Sequence, residues 1–406
     1  MTSVSRRPGA LSVRSLSPAR VLGAVIAFTF VFGPAAAGVL GVREKPIENR
    51  PLSPAPRIDQ GWAAFDAITP WAVDRLPGRA RAVRIKANMD YYGYGELPGT
   101  QVAQPPGSTG LRSPGGTLSP TVLRGKDRYL FYGQDFTTAC GTSTRFARAL
   151  ENVVELGRVI EESGRKVVIT VAPNKSSVIT SALPRAVPRG RCATDGIRTE
   201  SRVLDTFADP LFVALRRPLV DLAASGKDAY WRTDTHWTSL GGSLWVTRLA
   251  AKLDPSLPSR LRITPITTTK VGDLTALIGM SFTESPDSVR ISTGGTVTGT
   301  RPTGYDPKKG VRQTATWTTA PATGLVPGRT VLVGDSFTFA ILPNLQPLFA
   351  DGTFDWLAST PNADIVDHIV RSDTVVLEVA ERYVVTSVLS NPAFRKKVAA
   401  RLGVRS

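Results

Sequence analysis

The sequence predicts an α/β fold in which helices cover a mostly parallel β-sheet. Three short, largely apolar runs lie at residues 166–172, 330–333 and 374–379, and such runs are typical of strands buried on both faces. Before the first run, apolar residues recur at spacings of three and four from Phe146 to Ile160, which indicates an amphipathic helix. Helices that alternate with buried strands are the pattern of a parallel sheet with helices on its faces.

The length and the composition are those of a globular protein, but the charge is unusual. The chain has 406 residues, of which 42% are hydrophobic and 20% are charged, enough for one large or two modest domains. Its formal net charge of +17 favours an acidic partner such as nucleic acid, anionic lipid or an acidic polymer. No zinc-ligand spacing, aromatic RNA-binding motif or basic-region heptad accompanies this charge, so we expect no nucleic-acid partner.

The amino-terminal segment predicts a membrane anchor. Residues 1–20 contain four arginines and no acidic residue, and residues 21–42 carry no charge. A run of this length can cross a bilayer core of about 30 Å as one helix. The basic flank predicts a cytoplasmic tail, so the protein would be a single-pass protein of the plasma membrane with its body outside the cytoplasm. A cleaved signal peptide that ends near Ala35–Ala37 is the alternative.

The predicted location outside the cytoplasm bears on the two cysteines, Cys140 and Cys192. Outside the cytoplasm the environment is oxidising, and an even number of cysteines can pair there. We therefore expect a disulfide between them.

Residues 43–120 are predicted to form a stalk and an amino-terminal helical segment. Residues 43–56 are rich in proline, residues 62–87 favour a helix that breaks at Pro77-Gly78, and residues 95–120 favour an irregular connection. A catalytic domain is predicted over residues 121–406. Its further expected elements are a strand at 129–132, helical segments at 203–224 and 240–253, a short strand that ends at Trp231, and a β-rich elaboration at 265–325.

Three polar clusters follow predicted strands. They are Asp234 with His236, Asp335 with Ser336, and the run Glu381, Arg382 and Tyr383. Ligands in open α/β sheets bind at the carboxyl ends of the strands, so this placement would bring the clusters together.

The residues of two clusters suit nucleophilic catalysis. A serine hydroxyl becomes a nucleophile when a histidine takes its proton, and a carboxylate fixes the histidine tautomer. The chain has only two histidines, so Ser336, His236 and Asp234 are the predicted nucleophile, base and orienting acid. The Asp-x-His pair could instead bind a metal, but His368 is the one other imidazole and is predicted to be an ordinary helix residue. We therefore predict no metal site.

Seven stretches, in order, resemble the alginate O-acetylation proteins of the AlgJ/AlgX type. The most diagnostic is Asp-Thr-His-Trp-Thr at 234–238, within the similar stretch 230–242. The other stretches lie at 48–50, 74–79, 125–133, 171–175, 333–337 and 376–383.

The resemblance implies an SGNH-hydrolase-like three-layer fold with rearranged strand order. It also implies that Ser336, His236 and Asp234 form the triad, and Arg382, Tyr383 and Lys175 are the candidate substrate-binding residues. Two features depart from ordinary SGNH hydrolases: Asp-x-His precedes the serine, and their Gly-x-Asn-Asp block has no clear equivalent. The elaboration at 265–325 matches the family poorly and is a candidate for setting acceptor specificity.

The leading functional expectation is an O-acetyltransferase that acts on a cell-surface polysaccharide, and the positive charge of the chain favours an acidic one. The resemblance implies that a multispanning membrane acyltransferase supplies the acetyl group, so no cofactor of the chain's own is expected. A carbohydrate acetylesterase with the same triad and a non-catalytic glycan-binding scaffold of an export machine are the alternatives.

Overall fold

A computed structural model gives the fold of the chain. It describes residues 53–57, 59, 61–75, 78–90, 121–299, 314–321 and 323–405, with a few isolated positions nearer the amino terminus. The predicted anchor at 21–42, the proline-rich stalk and the connection at 95–120 lie wholly or mostly outside the described residues. None of the helices that the structure does describe has the length and apolar character needed to cross a bilayer. The predicted domain boundaries at 43 and 121 stay predictions.

The helices and strands are numbered in chain order. They are α1 (Ala63–Arg75), α2 (Arg79–Asn88), β1 (Val122–Arg124), β2 (Leu130–Tyr132), α3 (Gly133–Glu162), β3 (Lys166–Ala172), α4 (Lys175–Val178), α5 (Arg191–Thr206), β4 (Phe212–Val213), α6 (Arg216–Ala224), α7 (Ser239–Leu253), β5 (Arg262–Ile266), β6 (Lys270–Val271), α8 (Asp273–Leu277), β7 (Thr283–Glu284), β8 (Ser288–Ser292), β9 (Thr296–Gly299), β10 (Thr314–Ala320), β11 (Val326–Gly334), α9 (Ser336–Leu345), β12 (Phe349–Trp356), α10 (Asn362–Arg371), β13 (Thr374–Ala380) and α11 (Pro392–Leu402).

The chain divides into two compact units. One comprises residues 1–46 and 52–83, and the described part of it contains α1. The other comprises residues 47–51 and 84–406, so the boundary falls within α2. The helix ends at Arg75 and Arg79 lie on either side of the predicted break at Pro77-Gly78.

A seven-stranded sheet organises the larger unit. Its strand order is β4-β3-β13-β11-β12-β10-β9. The first five strands run parallel, and the antiparallel strands β10 and β9 complete one edge. The predicted α/β class with a mostly parallel sheet is confirmed. The predicted β-rich character of 265–325 is also confirmed for its described residues, since β5–β10 lie there almost entirely.

Both faces of the sheet are covered. Successive residues of a strand point to opposite faces. Val168, Leu332 and Val376 belong to one apolar core, which also contains Trp237 and Trp245. Their neighbours Val167, Ile169, Val331, Val375 and Leu377 belong to a second core on the opposite face. Burial on both faces explains why these strands read as continuous apolar runs.

The segment 203–224 differs from its prediction as a helix interrupted only at its prolines. Helix α5 ends at Thr206, β4 occupies Phe212–Val213, and α6 begins at Arg216. Pro210 lies in the gap, where its ring and missing N–H prevent the helix from continuing. The short strand predicted to end at Trp231 is also replaced, by a single bridge between Tyr230 and Trp237.

Cys140 on α3 and Cys192 on α5 form a disulfide. The two helices pack side by side, and Gly196 of α5 approaches the backbone of Ala139 so closely that a side chain there would clash. The bond therefore ties together two helices that lie 52 residues apart at the cysteines.

Candidate active site

A tight loop carries Asp234 and His236. The loop comprises residues 230–237, and we refer to it as the acid/base loop. Trp231 N–H donates to the His236 carbonyl at 3.2 Å, and the Tyr230–Trp237 bridge closes the loop at its base. Helix α7 then begins at Ser239 with Thr238 as its cap, whose hydroxyl accepts from Gly241 N–H at 2.9 Å. The predicted cap and helix are confirmed.

Asp234 orients the imidazole of His236. Its Oδ1 lies 2.7 Å from His236 Nδ1 and accepts from the His236 backbone N–H at 3.0 Å. A carboxylate at Nδ1 selects the tautomer in which that nitrogen carries the proton, which leaves Nε2 as the basic atom. His236 Nε2 is buried and has no hydrogen-bond partner among the described residues. The histidine thus holds one bound nitrogen and one unpaired nitrogen.

Asp234 is held in its charged form. Its Oδ2 accepts from Lys270 Nζ at 2.8 Å and from Asp273 N–H at 3.1 Å. Burial alone would raise the pKa of Asp234, but the hydrogen bond and charge of His236 and the Lys270 ammonium outweigh it and hold that pKa well below its usual value. The carboxylate is therefore ionised wherever the protein is folded near neutral pH.

Lys175 supports the same loop from beneath. Its ammonium donates to the carbonyls of Trp231 at 3.0 Å, Arg232 at 3.1 Å and Asp234 at 2.6 Å. Burial lowers the pKa of Lys175 to about 8, against the opposing effect of Asp273 and Asp234. An ammonium has three N–H donors, and all three are used here. The structure thus shows the Lys175 ammonium bound to the loop, and the substrate contact predicted for it stays a prediction.

Ser336 begins helix α9 directly beyond strand β11. Asp335 caps this helix, since its Oδ1 accepts from Phe337 N–H at 2.9 Å, and its Oδ2 accepts from Ala380 N–H at 2.7 Å. Ser336 itself is half-buried. The first turn of a helix presents backbone N–H groups and a partial positive charge, which favour a developing anion.

A buried acid lies under this turn. Glu378 Oε2 accepts from Asp335 N–H at 3.0 Å and from the Thr338 hydroxyl at 2.7 Å. Burial, and then the charge of Asp335, raise the pKa of Glu378 well above its usual value, which favours the neutral form of this acid. A Cβ at Gly334 would stand 2.1 Å from Thr338 Oγ1, so the close packing of this turn requires glycine there.

The acid/base loop and the start of α9 are in direct contact. The rings of His236 and Phe337 pack edge to face with centroids 4.9 Å apart. Trp237 Nε1–H donates to the Phe337 carbonyl at 3.2 Å, and the Trp237 ring packs on Phe337 at 5.1 Å. The fold thus brings His236 against Phe337, the residue that follows Ser336, although about one hundred positions separate them in the chain.

The third cluster joins this edge of the sheet through Arg382. Its Nη1 donates to Asp135 Oδ1 at 2.9 Å and to Asn174 Oδ1 at 2.8 Å, and its guanidinium lies 5.3 Å from the Phe337 ring. Burial alone would lower the pKa of Arg382, but Asp135 raises it, so the charge is kept. Tyr383 is half-buried, and its hydroxyl lies 3.4 Å from Gln134 Oε1. Substrate contacts of Arg382 and Tyr383 stay predictions.

His368 forms a separate pair on α10. Its Nδ1 lies 2.7 Å from Oδ2 of the buried Asp355, and the hydrogen bond to Asp355 raises the pKa of His368. The residue lies in the last turn of α10, in agreement with its prediction as a helix residue.

The chemistry of the donor set favours proton transfer over metal binding. Among the described residues, Asp234, His236 and Asp273 can each place one ligand atom within 4.8 Å of the others. However, both oxygens of Asp234 already accept hydrogen bonds, one of them from the Lys270 ammonium. A cation would have to displace that ammonium, and a catalytic zinc commonly has more than one imidazole ligand.

Several residues of the site escaped the sequence analysis. Lys270 and Asp273 contact the Asp–His pair, and Asp135, Asn174 and Glu378 line the strand ends. Asn174 and Glu378 lie within the similar stretches 171–175 and 376–383, whereas Lys270, Asp273 and Asp135 lie in none of the seven stretches. A further signal was that the strand at 374–379 contained an acid, Glu378, although its neighbours predicted burial.

Comparison with known families assigns residues 122–341 to a domain described as an SGNH hydrolase-like domain, acetyltransferase AlgX. The match covers more than half of the 406 residues and includes Asp234, His236 and Ser336. The chain belongs to this family. The predicted relationship to AlgJ/AlgX-type proteins is confirmed.

The AlgX-family chain has curated relatives and solved structural neighbours. It is 26% identical over 133 residues to the probable alginate O-acetylase AlgJ of Pseudomonas putida, a match that covers 32% of this chain and 33% of the relative. The chain thus spans about a third of the length of the curated relatives that it matches. The solved O-acetyltransferase domain of Pseudomonas putida AlgJ is 17% identical, with 69% of this chain and 99% of that chain covered and a TM-score of 0.44. Bacillus cereus PatB1 is 13% identical, with 66% and 98% covered and a TM-score of 0.46.

Proposed function

We propose that the protein is an O-acetyltransferase that works through an acetyl-enzyme on Ser336. The proposal depends on the arrangement of the His236 imidazole. The Asp234 carboxylate binds its Nδ1, and its buried Nε2 has no hydrogen-bond partner among the described residues. An imidazole held in this way can accept a proton at Nε2. The loop that carries His236 packs on Phe337, the residue next to Ser336, whose hydroxyl is the proposed proton donor. Membership of the AlgX acetyltransferase family supports the same chemistry.

In the proposed first step, Ser336 Oγ attacks the carbonyl carbon of a donor acetyl ester. His236 Nε2 takes the hydroxyl proton, and Asp234 stabilises the imidazolium that forms. The negative carbonyl oxygen of the tetrahedral intermediate is stabilised by backbone N–H groups at the start of α9. The intermediate collapses as the bond to the donor's leaving oxygen breaks. That oxygen takes the proton from His236, and acetyl-Ser336 remains.

In the second step, a sugar hydroxyl replaces the donor. His236 Nε2 takes the proton of this hydroxyl while its oxygen attacks the acetyl-Ser336 carbonyl. The new ester forms, the bond to Ser336 Oγ breaks, and the proton returns from His236 to Ser336. The two half-reactions use the same residues in opposite order, so the enzyme ends in its starting state.

The proposed acceptor is a cell-surface polysaccharide with acidic groups. The net charge of +17 favours an anionic polymer, and the curated relatives are probable alginate O-acetylases. The Cys140–Cys192 disulfide favours an oxidising compartment, in agreement with an extracytoplasmic domain anchored in the plasma membrane by residues 21–42. A multispanning membrane acyltransferase is the proposed source of the acetyl group.

The partition of the acetyl group tests this function. The protein is incubated with p-nitrophenyl acetate, with and without acidic oligosaccharides, and free acetate and acetylated sugar are both measured. We expect acetylated sugar to form at the expense of acetate, and the Ser336→Ala variant to form neither above background. The exposed Ser259 provides the matched Ser→Ala control. Acetate release that no oligosaccharide diverts would support an esterase, and transfer by Ser336→Ala would refute the proposed nucleophile.

A further inference from the structure

A segment outside the predicted triad binds the acid/base loop at two places. Residues 270–284 contain β6, α8 and β7, and we refer to them as the buttress. At one end of the loop, Glu284 accepts hydrogen bonds from Arg232 N–H at 2.9 Å, from Thr233 N–H at 2.8 Å and from the Thr233 hydroxyl. Gly272 packs so closely on the Thr233 carbonyl that a Cβ there would stand 2.0 Å from its oxygen.

The second set of contacts lies beside the Asp234–His236 pair itself. Asp273 Oδ1 accepts from Thr235 N–H at 2.7 Å, and its Oδ2 accepts from the Thr235 hydroxyl. The backbone N–H of Asp273 donates to Asp234 Oδ2 at 3.1 Å. One residue of the buttress therefore fixes the residue between Asp234 and His236 and also binds the carboxylate that orients the imidazole.

Asp273 also places a second negative charge next to His236. Its Oδ2 is 3.6 Å from His236 Nδ1, whereas the Asp234 oxygen is 2.7 Å from the same atom. The Lys270 ammonium pairs with Asp234 at 2.8 Å and faces the Trp231 ring at 4.6 Å. The Asp273 carboxylate therefore adds a second negative charge which, together with that of Asp234, balances a proton gained by the imidazole.

We infer that Asp273 is a positioning residue for the proposed acyl transfer, acting through His236. It holds the imidazole in place through Thr235 and Asp234, and its charge stabilises the imidazolium that forms when Ser336 loses its proton. The buttress thereby has a role in the acid/base machinery, in contrast to the acceptor specificity for which the segment 265–325 was a candidate. The inference rests on the proposed function of His236.

The test separates charge from shape. Asp273→Asn keeps an oxygen that can accept from Thr235 N–H but removes the charge, whereas Asp273→Glu keeps the charge. Acetyl transfer from p-nitrophenyl acetate to an oligosaccharide is measured with both variants and with Asp287→Asn, an exposed matched control whose side chain is 45% exposed. We expect Asp273→Asn to lower kcat about 10- to 100-fold with little change in KM. We expect Asp273→Glu to recover part of the loss and the control to equal the wild type.

A chemical rescue keeps the inference testable if the asparagine variant is unstable. Asp273→Ala leaves space for a small carboxylate, so sodium formate should raise its kcat several-fold while it leaves the wild type unchanged. Wild-type kcat in Asp273→Asn, or equal losses in the Asn and Glu variants with no rescue by formate, would overturn the inference. The proposed function fails separately, through transfer activity in Ser336→Ala.

Discussion

Replacement of Asp234 by asparagine removes the charge on which the acid/base loop depends. The carboxylate accepts four hydrogen bonds, from His236 Nδ1 at 2.7 Å, His236 N–H at 3.0 Å, Lys270 Nζ at 2.8 Å and Asp273 N–H at 3.1 Å. An asparagine offers one oxygen, and its amide group must face donors on the other side. If the oxygen faces His236, the amide meets Lys270. If the amide faces His236, the imidazole must carry its proton on Nε2, where it cannot act as a base.

The magnitudes follow from these contacts. Two hydrogen bonds to a charged group are lost, each of which contributes about 1.5–3 kcal/mol, so we expect the free energy of unfolding to fall by roughly 3–6 kcal/mol. The wrong tautomer in a Ser-His-Asp triad lowers turnover by about 10⁴-fold, and we expect a loss of roughly 10³- to 10⁴-fold here.

The assay is p-nitrophenolate release from p-nitrophenyl acetate, combined with urea unfolding of the same preparations. Asp287→Asn, in an exposed ion pair with Lys227, is the matched control and should keep both wild-type activity and wild-type stability. A turnover of Asp234→Asn within tenfold of the wild type, in a folded protein, would refute the assigned role of Asp234.

Three further predictions concern stability, measured by urea unfolding. Gly241→Ala places a Cβ 2.1 Å from the Ala229 carbonyl oxygen, and the resulting backbone shift should lower the free energy of unfolding by about 1–3 kcal/mol or more. In the control Gly141→Ala the new Cβ has no other atom within 4 Å, so the free energy of unfolding should rise by about 0.5–1 kcal/mol. Removal of the disulfide by the double Cys→Ser variant should cost about 3–4 kcal/mol for a loop of 52 residues, and an unchanged urea midpoint would contradict this. Burial, and then Glu381, raise the pKa of Glu200 from 4.5 to about 9, so its contribution to stability is present below pH 4.5 and is lost as the pH rises towards 9. Glu200→Gln should therefore lose less stability than the wild type between pH 5 and pH 9, and parallel pH profiles would argue against the buried neutral acid.

The sheet could be predicted because its signal is local. The strands at 166–172 and 374–379 are apolar on both faces, and the structure places β3 and β13 there. The cap at Thr238 and the helix after it were equally legible from neighbouring residues. The predicted helix at 203–224 is instead the end of α5, the strand β4 and the helix α6. Apolar periodicity alone could not locate the two-residue strand β4 between Thr206 and Arg216.

The residues that hold the acid/base loop in place could not be predicted from local sequence. Asp273 reaches the acid/base loop from about forty positions away, and Glu284 from about fifty. Neither residue belongs to a motif, and their role depends on how β6, α8 and β7 fold back on the loop. Lys175 was noticed in the sequence as a candidate substrate ligand, but its burial and its three carbonyl partners on the loop are visible only in the structure.

The central claim is that His236 activates Ser336 for acyl transfer. The most direct measurement is peptide mass analysis of the protein after brief exposure to an activated acetyl ester, with His236→Ala treated in parallel. The account predicts one acetyl group on Ser336 in the wild type and none on Ser336 in His236→Ala. Acetylation of Ser336 at the same rate in both proteins, or an acetyl group carried only by another residue, would contradict it.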